Sequence, residues 1–112
     1  MVTEDDVRTA ALALPGTTEK PSYGTPGFRV RDKLFARLKD PTTLVAWVAD
    51  ESEKHALIAE DPARYFTTPH YDGYASVLVR LTEIAVPDLE DILLEAWRAR
   101  APARLIAEFD AT

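Results

Sequence analysis

The run GTPGFRVRDKLFARLK, residues 24–39, decides the fold of this chain. Gly and Pro punctuate its start, and apolar residues alternate with charged ones on both sides of Arg31-Asp32-Lys33. That is the pattern of two strands joined by a turn. Two registers are open. With an odd-length loop at Arg31-Asp32-Lys33, Phe28, Val30, Leu34 and Ala36 share one face, and Arg29, Phe35 and Arg37 share the other. A two-residue loop at Arg31-Asp32 puts Phe28 beside Phe35 and mixes the faces. The first register is the expected one.

Reading outward, strands are expected near residues 19–23, 28–31, 34–39 and 44–49. The fourth, LVAWVA, is apolar on both faces. An antiparallel strand with one wet face should alternate, so this one is central or has its second face covered. Ahead of the strands, residues 3–14 read as a helix. Thr3 can cap it, Glu4, Asp5 and Asp6 suit the positive end of its dipole, and Val7, Ala10, Ala11 and Leu14 form a buried stripe. Pro15-Gly16 ends it. A second helix is expected over 51–60, with Asp50 and Glu53 at capping-box spacing and Pro62 as its stop. A loop through Pro69-His70-Tyr71-Asp72-Gly73-Tyr74 then leads to a strand over 76–82. The last long helix opens at Pro87-Asp88 and buries Leu89, Ile92, Leu93, Ala96 and Trp97, with Arg98 and Arg100 at its C-terminal end. Pro102 starts a further turn or short helix carrying Leu105, Ile106 and Phe109. The fold class is α+β, a two-layer sandwich with helices on a mainly antiparallel sheet.

The 112 residues match one domain with one core, residues 1–112. There is no cysteine, which excludes disulfides, thiolate metal sites and cysteine nucleophiles and fits a reducing compartment. The N-terminus is acidic and lacks a long apolar core, so a soluble cytoplasmic protein is expected, with no membrane partner. Nineteen acidic against 13 basic side chains leave a formal charge of −6. That balance gives no global steering toward polyanions, so only a local basic face could serve them.

The chain resembles the MmcQ/YjbR family of small bacterial proteins. Leu14-Pro15-Gly16-Thr17-Thr18-Glu19, then Gly24-Thr25-Pro26-Gly27-Phe28-Arg29-Val30 and Lys33-Leu34-Phe35-Ala36, carry the likeness, with Pro69-His70-Tyr71, Gly73-Tyr74, Asp88-Leu89 and Glu95-Ala96-Trp97. The resemblance implies an α-β(4)-α-β(2)-α sandwich, similar in layout to type III secretion chaperones. The family is commonly labelled DNA-binding because two β-hairpins resemble a pair of wings. The resemblance implies no catalytic residue, metal ligand or cofactor.

Residues 20–39 hold Lys20, Arg29, Arg31, Lys33, Arg37 and Lys39 against the single acid Asp32. In a winged hairpin Arg31 and Lys33 sit at the tip, and Arg29 and Arg37 flank Phe35 on an exposed face. Such cations can track phosphates. Edge strands also carry charge to prevent aggregation, so a solvated face is the competing reading. Tyr65, His70, Tyr71 and Tyr74 form an aromatic group that either stacks a ligand or closes the end of the sheet. Phe35 and Trp47 suggest an apolar face for a protein partner, unless the C-terminal segment through Ile106 and Phe109 folds over it. Neither His55 nor His70 has metal-ligand spacing, and no nucleophile, base and orienting group can be named together. The expected class is a non-enzymatic binding module without cofactor. It binds DNA weakly through the basic hairpin, or alternatively a protein partner, chaperone-like, through the apolar face.

Overall fold

The computed structural model describes residues 2–112. Thr3 caps the first helix, α1 (Glu4–Leu12), in a reciprocal box: its hydroxyl accepts from Asp6 N at 3.2 Å, and the Asp6 carboxylate accepts from Thr3 N at 2.9 Å. The helix stops two residues short of Leu14, because Pro15 disfavours helical geometry in the residue before it. Six strands follow: β1 (Thr17–Ser22), β2 (Thr25–Val30), β3 (Lys33–Asp40), β4 (Thr43–Trp47), β5 (Tyr65–Phe66) and β6 (Ser76–Arg80). They form one antiparallel sheet in the order β1-β2-β3-β4-β6-β5. Between β4 and β5 lies α2 (Glu51–Glu60), capped by Asp50, whose carboxylate accepts from Glu53 N at 2.8 Å. The chain ends with α3 (Val86–Arg100) and α4 (Ala103–Asp110). The element order and α+β class match the expectation from sequence.

The core lies between the sheet and α1 and α3. Leu89, Ile92, Leu93, Ala96 and Trp97 of α3 are all buried there, against Phe28, Val30, Leu38, Leu44 and Val79. Each fully buried side chain of this size contributes about 1.5–3 kcal/mol. The Trp97 indole N–H also donates to Pro15 O at 2.9 Å, tying α3 to the α1–β1 connection. At the surface, Arg8 of α1 binds the Glu19 carboxylate of β1 at 2.8 Å. Strand β4 is central and covered on both sides, as its two-sided apolarity requires.

The β2–β3 register corrects the sequence reading. Val30 pairs with Lys33 across a two-residue turn, Arg31-Asp32, with φ of 48° and 69°. Positive φ at both positions is the tight turn that matches strand twist, although neither residue is the glycine it favours. Phe28 pairs with Ala36 and Arg29 with Leu34, so Phe35 is the extra residue of a bulge. The bulge brings Phe35 onto the helix side beside Ala36, where both are fully buried. Phe35 is therefore a core residue, and Leu34 takes its expected place opposite Arg29. Phe28, Val30 and Ala36 do share one face, and Arg29 and Arg37 the other.

Strands β1 and β2 approach closely at Gly27. A Cβ there would stand 2.9 Å from Lys20 O and 3.0 Å from Ser22 Cβ. Backbone cannot yield as a flexible side chain can. Gly27→Ala is therefore expected to cost about 1–3 kcal/mol by forcing the two strands apart. Thermal denaturation followed by circular dichroism checks this, each kcal/mol lowering Tm by roughly 4–8 °C in a small domain. An unchanged Tm would refute the close approach.

Candidate nucleic-acid interface

The helices cover one side of the sheet, and the other side is where the basic residues collect. Register places Thr18, Lys20 and Ser22 of β1 on that side, opposite Arg29, Gly27 and Thr25 of β2. Leu34 and Arg37 of β3 continue the row. At the paired strand positions from β1 through Arg37 this surface holds three cations and no acid, with Asp32 in the adjoining turn, although the chain as a whole carries −6. Glu19, the one acid of β1, points to the helix side and is held by Arg8. Asp40 lies beyond a second irregularity in β3, where its carboxylate accepts from Thr42 N at 2.9 Å in the β3–β4 turn.

The four sequence-predicted cations part into two groups. Arg29 lies half-buried on the helix-free face, its guanidinium 3.5 Å from Asp32 O. Arg37 is anchored: it donates to the Tyr71 hydroxyl at 2.9 Å and to Thr25 Oγ1 at 3.3 Å, and lies 5.2 Å from the Tyr23 ring centroid. Arg31 and Lys33 sit exposed at the hairpin tip, away from that pair. Lys33 faces the helix side by its pairing with Val30. Arg31 leans toward Leu105 and Glu108 of α4, with which it borders a small surface hollow. Lys20, which the sequence reading counted only as part of the segment, joins Arg29 and Arg37 across the strands. Tyr23 at the β1–β2 turn is 90% exposed beside them.

The aromatic group does not converge. Tyr65 pairs with Val79 and packs into the helix-side core, whereas Tyr71 packs on the opposite face against Val45 and Leu78. Tyr65 takes its side from its place in β5, whereas Tyr71 lies outside the strands, in the 3₁₀ turn Pro69–Tyr71 that folds over the other face. His70 stands edge-on to Tyr71 at 5.2 Å, and Tyr74 is exposed. Tyr65 and Tyr71 therefore cover opposite faces of the sheet, and the four residues do not share one stacking loop.

The apolar face expected around Phe35 and Trp47 is likewise divided. Phe35 is inside the core. Trp47 remains on the other side, half-buried against Val45, Tyr71 and Leu78, with the Arg100 guanidinium carbon 5.5 Å from its ring centroid. The cover comes from the 3₁₀ turn Pro69–Tyr71 and not from the C-terminal segment, since Ile106 and Phe109 pack on the helix side, Phe109 5.2 Å from Trp97. What holds that turn down is a residue the sequence reading passed over. Lys54 of α2 is 1% exposed and donates from Nζ to Tyr71 O at 2.7 Å and Tyr74 O at 3.1 Å. No sequence signal marks it, since Glu51, Glu53 and His55 around it suit a solvated helix face.

Among the described residues there is no cluster of three or more metal-ligating side chains, and no helix is long and apolar enough to cross a membrane. A family model described as YjbR matches residues 12–99. The uncharacterized protein Rv2570 of Mycobacterium tuberculosis is 42% identical, the match covering 97% of this chain and 96% of that protein. The uncharacterized protein Mb2600 of Mycobacterium bovis matches to the same extent. The crystal structure of Deinococcus radiodurans protein DR2400, with a DUF419 domain, superposes with a TM-score of 0.71 at 23% identity, over 87% of this chain and 77% of that one. That likeness carries the α+β fold.

Proposed function

The chain belongs to the YjbR family, and from that premise we propose that it is a binding module that holds DNA weakly, mainly by charge, on the helix-free face of the sheet. The observation that supports this is the carboxylate-free row of Lys20, Arg29 and Arg37 in a protein of charge −6. Segregation of this kind lets a net-acidic protein present one face to phosphates while its other faces repel them. Antiparallel strands space the three cations across the sheet, and Tyr23 offers a ring at their edge. Affinity would come from counterion release, and sequence preference would be slight because no base-reading motif accompanies the cations.

Three phosphate contacts imply a slope of about −2.7 in log K against log salt, or roughly 40-fold weaker binding between about 50 and 200 mM salt. Fluorescence anisotropy of a labelled duplex measures this. Lys20→Glu with Arg29→Glu is expected to abolish binding at low salt, whereas Arg31→Glu with Lys33→Glu at the tip should leave most of it. Arg37 is left intact because its loss would also release Tyr71. A larger effect of the Arg31 and Lys33 pair would move the site to the hairpin tip, equal effects would overturn its confinement to the sheet face, and an absence of binding at low salt would end the DNA reading.

A further inference from the structure

The β1–β2 turn holds a strained aromatic residue at the edge of the basic face. Ser22 pairs with Thr25, so Tyr23 and Gly24 form a two-residue turn, with φ of 54° and 78°. Positive φ at both positions suits Asn-Gly, and a tyrosine adopts it only at a cost in free energy. Packing does not offset that cost, because Tyr23 is 90% exposed. We propose that its ring is a stacking platform for an unpaired base, so that this face takes single-stranded DNA in preference to duplex. The proposal rests on the DNA reading above and names the form of DNA that the site selects.

Arg37 covers one face of the ring. Its guanidinium carbon lies over the ring, 5.2 Å from the centroid. Its two terminal nitrogens donate to Thr25 Oγ1 at 3.3 Å and to the Tyr71 hydroxyl at 2.9 Å. All three partners are neutral, and among the described residues Arg37 forms no ion pair. The guanidinium is thus held in place with its charge unmatched, ready for a phosphate. The second face of the Tyr23 ring is open. A nucleotide carries its base and its phosphate on one sugar, so a strand drawn over Lys20, Arg29 and Arg37 brings a base to that open face.

Base pairing decides which form of DNA can use the ring. In a duplex each base is stacked between its neighbours and offers only its edge to a groove. In a single strand the π face is available, and stacking on an aromatic side chain is tolerant of sequence. Charge alone runs the other way, since a duplex carries about twice the charge per unit length of one of its strands. Tighter binding of the single strand therefore reports the ring and not the cations.

Fluorescence anisotropy of labelled oligothymidylate, set against a labelled duplex of equal length at the same low salt, tests the proposal. The single strand is expected to bind more tightly. Tyr23→Asn is the discriminating variant, because asparagine suits the turn and removes the ring. It should melt at or above the Tm of the parent, lose about tenfold in affinity for oligothymidylate and keep its affinity for the duplex. Tyr23→Phe retains the ring and should retain the preference. Duplex binding as tight as single-strand binding in the parent, or an undiminished preference in Tyr23→Asn, would overturn the platform and leave the DNA reading standing. Failure of both DNA forms to bind would end that reading and the platform with it.

Discussion

Replacing Trp97 by alanine is expected to lower the stability of this domain by about 3–5 kcal/mol, the usual cost of truncating a buried tryptophan. Three links break at once. The ring is fully buried among the α3 and sheet side chains, so its removal leaves a cavity at the centre of the main core. Its N–H no longer satisfies Pro15 O, which loosens the connection between α1 and β1. Phe109 of α4 loses the ring it packs on at 5.2 Å. Domains of this size have roughly 5–15 kcal/mol of stability, so this single change removes a large share of it. Trp97→Phe keeps most of the apolar volume and is expected to cost only about 1–3 kcal/mol, mainly the orphaned carbonyl. Urea denaturation followed by far-UV circular dichroism separates the two variants, since tryptophan fluorescence would itself be altered. A Trp97→Ala protein within about 1 kcal/mol of the parent would contradict the burial of the ring.

Lys54→Met carries the second largest expected effect, a loss of about 2–4 kcal/mol from two backbone acceptors left without their donor. Methionine preserves the apolar stem, so the change isolates the ammonium. Nζ supplies Tyr71 O and Tyr74 O, and among the described residues it forms no ion pair. The consequence is local before it is global. The segment around Pro69–Tyr71 covers Val45, Leu78 and Trp47 on the helix-free face, and its release would also slacken the hydroxyl that anchors Arg37. Limited proteolysis should therefore cut the variant between residues 67 and 75 faster than the parent, under conditions where both are folded. Unchanged proteolysis together with unchanged urea stability would show that water replaces the ammonium at no cost.

These two residues differ in how visible they are in the amino-acid sequence. Trp97 falls at the last position of a five-residue apolar stripe in α3, and helical periodicity marks it as core without further information. Lys54 breaks the rule that lysine stays outside, and nothing in its neighbours signals otherwise. Its burial depends on carbonyls 17 and 20 residues away being aimed at one point. The candidate interface shows the same division. The basic character of residues 20–39 is plain in the chain, whereas the grouping of Lys20 with Arg29 and Arg37, and the exclusion of Arg31 and Lys33, follow from strand register.

By itself the sequence determined the elements whose signals are local. These are the caps at Thr3 and Asp50, the stripe of α3, the two-sided apolarity that made β4 central, and the order of helices and strands. Each rests on contacts within a few residues, where the 3.6 and 2.0 periodicities and capping chemistry suffice. Only the tertiary structure decided the rest. The bulge that carries Phe35 into the core reflects pairing with β2 and packing under α3; together with the two-residue turn it exchanges the faces of Leu34 and Phe35 and leaves Ala36 and Arg37 where alternation put them. Strand pairing likewise puts Tyr65 on the helix side while a 3₁₀ turn brings Tyr71 onto the other, a division built from segments that meet only when the chain is folded.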